Sequence, residues 1–387
     1  MLNDVPPCEG ASANPNEWEE WEIKTNFCRH VRDLADKQRC FRHVVPAAYL
    51  AGKHAELARE LAGQTIIYLD TKHWVNLCNV VVQSKKLLPV YDEILGLLEK
   101  LRHKARICCP ISSPLILELM KQKDDATRQV TARIMDFFSG GVCLQNWLDL
   151  AKAEFANHVC RTFAIAEDEQ PNFALWTKCG FSLGEHTFNF PELAAEESDL
   201  LGRLYVDLRW DLSLDQFQAM PDWKPAPDSL ASAWIQEAER AQACQAQTKL
   251  NFASLVRQRR RQLLSALTQQ LLPMLALCRN IPGSADDHVM AALDPIHDGR
   301  DPKALPSLEV VAGLDAAISQ EASRKVQAND MLDYLHAAQA LPNCDALFCD
   351  NFMAQKMRNK PLEFGKLYNT EIGSRPEEIL QFLNRLS

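Results

Sequence analysis

The sequence predicts an α/β fold built on a parallel sheet, and three stretches predict it. The apolar run Thr65-Ile66-Ile67-Tyr68-Leu69 ends at Asp70 and gives way to a helix-like stretch from Thr71. A second β-type run, Arg106–Pro110, leads into Ser112-Ser113-Pro114. There a serine caps a helix carrying Glu118, and proline takes its first position. A third run, Ala346-Leu347-Phe348-Cys349, follows a helix striped with Leu332, Leu335, Ala338 and Leu341, and Asp350 closes it. Strands that alternate with helices pair in parallel. Asp70 and Asp350 then fall at strand C-termini, where open α/β sheets bind ligands.

Pro6, Pro7, Gly10 and Pro15 predict a start without regular structure. Glu17 to Ala62 reads as helical, with breaks near Cys40 and Pro46, and Trp18 and Trp21 share one packing face. After β-run one, Lys72 and His73 read either as exposed polar residues or as phosphate contacts. Leu87–Arg102 has the period of an amphipathic helix, and Leu115–Phe138 reads as one helix stopped by Ser139-Gly140-Gly141. Val142-Cys143-Leu144 is a further short strand. The stretch between Glu118 and Asp330 is far longer than a compact α/β core needs, and its Ala, Leu, Gln and Glu recur with helical period. It therefore reads as a helical insertion whose longest element runs from Asp228 to Arg279 and kinks at Pro273. Linkers are expected at Met220–Pro227, Asn280–Gly283 and Asp294–Pro306. Asn329 or Asp330 caps the helix before the third run, Asp330 and Asp333 share one of its faces, and Pro342 and Asn343 end it. The expected division is an N-terminal helical segment 1–64, a first α/β part 65–144, the insertion 145–325 and a second α/β part 326–387.

With 47% apolar residues in 387, the chain can bury a large core. Its net charge of −9 argues against broad wrapping by nucleic acid and leaves room only for a local basic track. The densest such run is Arg257-Gln258-Arg259-Arg260-Arg261, which reads either as a phosphate-binding track or as a solvated helix face neutralised by acids such as Glu237 and Glu239. Thirteen cysteines with no C-x-x-C pair read as reduced thiols, which fits the cytoplasm and not a disulfide scaffold. The segment Met1–Ser12 carries Asp4 and Glu9 and lacks the apolar core of a secretory signal. No apolar run is long enough to span a membrane. His288, His297 and His336 lack the spacing of a zinc site.

The order strand–Asp70, strand–helix–Glu118, helix–Asp333, strand–Asp350 resembles that of the PIN-domain nucleases. In that family a first Asp ends a strand, a Glu lies on a following helix, a third acid opens a helix reading roughly D-x-L-h-A-A-x-A-L, and a fourth Asp follows the next strand. Asp333 with Ala337, Ala338, Ala340 and Leu341 matches the helix, and Phe348-Cys349-Asp350 matches the strand end, with Cys349 where the family often has Thr. The resemblance covers residues 65–142 and 326–387. It implies a three-layer α/β/α core interrupted by the insertion, and a metal-dependent endoribonuclease acting on single-stranded or structured RNA, with DNA left open. Asp70, Glu118, Asp333 and Asp350, with Asp330 as an additional oxygen source, would hold Mg2+ or Mn2+, ions that favour oxygen ligands. Carboxylates beside a phosphate make chemical sense only with such cations. Thr71 can orient a carboxylate or water, and His336, one turn after Asp333, can hydrogen-bond to the acids. Arg257, Arg259, Arg260 and Arg261 would hold the RNA backbone. Toxins of toxin–antitoxin pairs, defence effectors and RNA-processing enzymes all occur in the family. An inhibitory or regulatory protein partner and a homodimer stay open, and no membrane is expected. Two alternatives remain: a non-catalytic PIN-like scaffold binding RNA or protein, and a phosphatase of the haloacid dehalogenase type. The latter family expects a second Asp two residues after the first, where this chain has Lys72.

Overall fold

Strand β1 (Thr65–Leu69) has no wet face: Ile67, Tyr68 and Leu69 are all fully buried. That pattern suits a central parallel strand covered on both sides. β1 pairs in parallel with β2 (Ile107–Cys108) on one side and with β5 (Ala346–Phe348) on the other, and β5 pairs in parallel with β6 (Glu371–Gly373). The sheet order is β2-β1-β5-β6. Ile111, just beyond β2, bridges in parallel to Cys143 of β3 (Val142–Leu144), which pairs antiparallel with β4 (Trp176–Lys178). The structure, a computed structural model, describes residues 29, 31–83, 89–166, 174–184, 192–218, 250–273, 275, 284–321 and 327–387. Over these residues the protein is a mixed, mostly helical α/β chain around a four-stranded parallel sheet.

The described helices are α1 (Pro46–Leu61), α2 (Thr71–Val81), α3 (Val90–His103), α4 (Ser113–Met120), α5 (Asp125–Ser139), α6 (Trp147–Thr162), α7 (Ala195–Trp210), α8 (Leu214–Gln218), α9 (Phe252–Leu271), α10 (Ala285–Asp298), α11 (Pro306–Ser319), α12 (Ala328–Ala340), α13 (Asn351–Arg358), α14 (Phe364–Tyr368) and α15 (Pro376–Leu386). Around the sheet lies one large core that includes Trp74, Leu98, Ile116, Phe138, Leu314, Ala338 and Phe382, and a second apolar cluster joins Phe155, Leu264, Leu271, Ile296 and Leu308 of α6, α9, α10 and α11. α15 packs on α3, and α2 packs on α5; α12 packs on α4 and α11, and α11 on α9 and α6. Gly373 of β6 has a packing reason: a Cβ there would lie 2.4 Å from the Phe348 ring.

The chain divides into two compact units, one of residues 1–50 and 187–208, the other of 51–186 and 209–387. In the first, Arg203 is 2% exposed, donating to Gln38 Oε1 (3.0 Å) and the Val44 carbonyl (2.7 Å). Asp207 accepts from Gln38 Nε2 (2.5 Å) and Tyr49 Oη (2.9 Å), so this buried charge is hydrogen-bonded. The second unit holds the sheet.

Several boundaries differ from those the sequence predicts. The two units divide at residues 50, 186 and 208, and α6, α9, α10 and α11 pack in the same unit as the sheet. The stretch 145–325 also supplies a strand, β4. The helix expected over 115–138 is two, since Asp124 starts a new helix by accepting from Thr127 N at 2.9 Å. α9 begins at Phe252, capped by Asn251, and not at Asp228. α10 continues through Asp294 and Pro295 to Asp298, so the linker there is shorter than expected. Gln327, not Asn329 or Asp330, is the N-cap of α12. The expectations for residues 1–15, Trp18, Trp21, the linkers Met220–Pro227 and Asn280–Gly283, and Glu237 and Glu239 lie outside the described residues.

Candidate metal centre

From β1 the chain crosses to β2 on one side, while β5 and β6 lie on the other. The switch in direction falls between β1 and β5, and a crevice opens beyond the carboxyl ends of such a strand pair. Asp70 ends β1 and Asp350 follows β5, and the backbone N–H of Asp70 donates to the Phe348 carbonyl at 2.9 Å. Each Asp also caps the next helix. Asp70 Oδ1 accepts from Thr71 N at 2.5 Å, and Asp350 Oδ1 accepts from Phe352 N at 2.7 Å and Met353 N at 3.1 Å. Capping occupies one carboxylate oxygen of each, and fixes the side chain at the strand end.

Two helices bring the remaining groups. Glu118 sits on α4, which Ser112 caps by accepting from Leu115 N. The hydroxyl of Thr71 donates to Glu118 Oε2. α12 packs on α4 and carries Asp333 and, one turn on, His336. His336 is 3% exposed, and its Nε2 lies 3.3 Å from Glu118 Oε2, an ion-pair distance without a well-directed hydrogen bond. Ligand-type atoms of Asp70, Glu118 and His336 all lie within 4.8 Å of one another. This partly buried group can hold a metal ion. Two carboxylates and an imidazole are a usual donor set for a divalent cation, and a buried nitrogen without a directed partner is what a cation would satisfy.

The electrostatics show charges crowded together. Burial, then the Asp350 carboxylate, pushes Asp333 up to about 7, with Asp70 and Glu118 adding to the rise against the pull of His336. Burial raises Asp70 as well; His336 opposes this, and Glu118 and Asp350 reinforce it. Burial would also raise Glu118, but contact with His336 and Thr71 brings it below the usual carboxylate range. For His336, burial is outweighed by Glu118, Asp70 and Asp333, and the imidazole rises above its ordinary value. The acids thus compete for protons and for whatever cation is at hand.

The structure brings Asp70, Thr71, Glu118, Asp333, His336 and Asp350 into one electrostatically connected set. Asp330 stands apart: it is 2% exposed, its Oδ2 accepts from Gln327 N at 2.8 Å, and it is not among the main influences on Asp70, Glu118 or Asp333. The arginine track also divides. Arg259 and Arg260 are buried, ion-paired with Asp315 at 2.6 Å and bidentately with Glu309 at 2.7 and 2.8 Å. These two hold α9 to α11 and cannot line a surface track, whereas Arg257 and Arg261 are exposed. His73 is fully buried beside Tyr91 Oη (2.7 Å), not a surface residue, and Lys72 donates to the Ser374 carbonyl at 3.3 Å.

Sequence reasoning overlooked Tyr68 and Ser112. Tyr68 Oη lies 2.5 Å from both Ser112 Oγ and His336 Nδ1. A phenol inside an otherwise aliphatic strand signals a buried hydroxyl that needs partners. No helix among the described residues is long and apolar enough to cross a membrane. In comparisons with known proteins, no family model, no curated protein and no solved structure matches this chain.

Proposed function

We propose that the protein is a PIN-like, metal-dependent nuclease that hydrolyses phosphodiester bonds of RNA. The observation that supports it most is the meeting of Asp70, Glu118 and His336 at the β1–β5 switch point, with Asp333 and Asp350 coupled to them by charge. The order of the acids along the chain, from strand end to helix to helix to strand end, supports the same family. Asp70, Glu118, Asp333 and Asp350 would hold Mg2+ or Mn2+, which supplies an acidified water and neutralises charge developing on the phosphate.

The chain's own residues set the stage for that chemistry. The caps at Asp70 and Asp350 fix two carboxylates on rigid strand ends. Thr71 anchors Glu118 through its hydroxyl. Burial and the Asp350 carboxylate push Asp333 up to about 7, so a cation beside it would favour its ionised form. Arg257 and Arg261, exposed on α9, are the members of the arginine run left to meet a phosphate backbone. Such an activity would suit a toxin, a defence effector or an RNA-processing enzyme.

Asp350→Asn keeps shape and removes charge. The purified variant is expected to fold as the wild type does and to lose on the order of 100-fold in cleavage of a single-stranded RNA oligonucleotide in Mn2+, the upper end of what even an outer partner of a metal ligand costs. Cleavage at the wild-type rate would reject the role of the acids.

A further inference from the structure

A site for an oxygen-loving ion has no need of an imidazole, yet His336 is built into this one from behind. Its Nε2 lies 3.3 Å from Glu118 Oε2, a ring nitrogen lies within 4.8 Å of an Asp70 carboxylate oxygen, and its Nδ1 is 2.5 Å from Tyr68 Oη. Tyr68 in turn is 2.5 Å from Ser112 Oγ, and Ser112 caps the helix that carries Glu118. Tyr68 and Ser112 are fully buried, so no solvent competes for these protons.

Tyr68 has one proton and two neighbours. In one arrangement the phenol donates to Ser112 and accepts from Nδ1–H, and the lone pair of Nε2 is left on the side of Glu118. In the reverse arrangement Ser112 donates to the phenol, the phenol donates to Nδ1, and an Nε2–H points at Glu118. Only the first leaves a nitrogen that can ligate. A ligating histidine commonly donates its other N–H to a partner that fixes the tautomer, and that partner is what Tyr68 supplies.

We propose that His336 is a direct nitrogen ligand, alongside Asp70 and Glu118, and that Tyr68, backed by Ser112, holds it as the Nδ1–H tautomer, so that the site selects Mn2+ and its first-row neighbours over Mg2+. The proposal rests on the metal-binding role of these acids. Its chemistry is that imidazole suits first-row transition ions, whereas Mg2+ keeps oxygen ligands and waters. Tyr68 is a positioning residue, since it touches only the ring nitrogen turned away from the acids. The competing role for His336 is a protonated imidazole paired with Glu118 at 3.3 Å, which would repel a cation rather than bind it.

The test is calorimetric titration of the full chain with Mn2+ and, separately, Mg2+, for the wild type, Tyr68→Phe and His336→Gln. Visible spectra of the Co2+ complexes of wild type and His336→Gln are recorded in parallel. Tyr68→Phe is expected to weaken Mn2+ by about 10- to 100-fold, with less than about a threefold change for Mg2+. His336→Gln should remove the preference for Mn2+ and shift the Co2+ bands. The proposal is overturned if His336→Gln leaves Mn2+ affinity unchanged, weakens both ions equally or strengthens both, or if the Co2+ spectrum does not move. Should Tyr68→Phe fail to fold, His336→Gln and the Co2+ spectra decide alone. A wild type that binds neither ion refutes the metal role of the acids itself, a result distinct from Mn2+ binding that ignores His336.

Discussion

Asp333→Asn should make the protein more stable and less useful. In the metal-free chain Asp333 is partly buried, and its carboxyl is pushed from the ordinary 3.8 up to about 7, first by burial and then by Asp350. The sign follows from proton linkage. The folded chain holds a proton that the unfolded chain has released, so this group's contribution is fully present below about pH 4 and is lost as pH rises through 7. A shift of about three units is about 4 kcal/mol at roughly 1.4 kcal/mol per unit. Partial exposure and solvent screening reduce this to about 2 kcal/mol. At roughly 2–4 °C per kcal/mol for a unit of this size, the variant should melt about 4–8 °C above the wild type at pH 8 without metal. At pH 4 the two should coincide. The assay is thermal unfolding followed by circular dichroism in chelator from pH 4 to 8.5, reading the transition of the sheet-bearing unit, then repeated in Mn2+. The added ion should raise the wild type more than the variant, because it relieves repulsion that Asn has already removed. Melting curves for wild type and variant that stay parallel across this range would refute the account of Asp333 as one of several crowded acids.

Arg260→Ala leaves the partly buried Glu309 without its bidentate partner, and a loss of about 2–4 kcal/mol is expected from urea unfolding; a loss below 1 kcal/mol would show that α9 and α11 are held otherwise. The double change Arg257→Ala/Arg261→Ala touches only exposed side chains, so stability should stay within about 0.5 kcal/mol while the slope of log affinity for single-stranded RNA against log salt falls by about 1.4; unchanged slopes would leave the track without a substrate role. Glu154, partly buried and pushed up to about 8 by burial, accepts from Ser307 N (3.1 Å) and Ser307 Oγ (2.7 Å) at the start of α11. Because its folded value is raised, its contribution fades as pH climbs from about 4.5 through 8, and Glu154→Gln should flatten that decline; an equally steep decline in the variant counts against it.

How much of this was written in the chain depends on how local the cause is. β1, β5 and the caps at Asp70 and Asp350 follow from apolar runs ended by an acid, a signal confined to a few residues. Asp124, followed three residues on by Thr127, carries the same kind of local signal, and an unbroken apolar period masked it. The arginine run was misjudged for a geometric reason. Five consecutive helical residues sweep more than a full turn, so Arg257 and Arg261 share a face, Arg259 falls on the far side, and Arg260 sits at the edge between them. On α9 those two directions meet Asp315 and Glu309. Asp330 and Asp333 do lie near one another on α12, yet the N-terminal turn claims Asp330 for the Gln327 N–H. The Tyr68–His336 contact joins residues 268 apart, and no window on the sequence contains both.

The pairing of β1 with β5 joins segments separated by 279 residues, as the Ile66–Asp345 hydrogen bond records. During synthesis at about 5–20 residues per second, β1 waits on the order of 14–56 s for the strand that completes its far edge. Until then Asp350 does not exist, so the acidic centre cannot assemble before β5 and the helix cap that follows it have been made. The same delay leaves Ile67, Tyr68 and Leu69 open on one side, an aggregation hazard that makes early coverage by the helices between them a condition of safe folding.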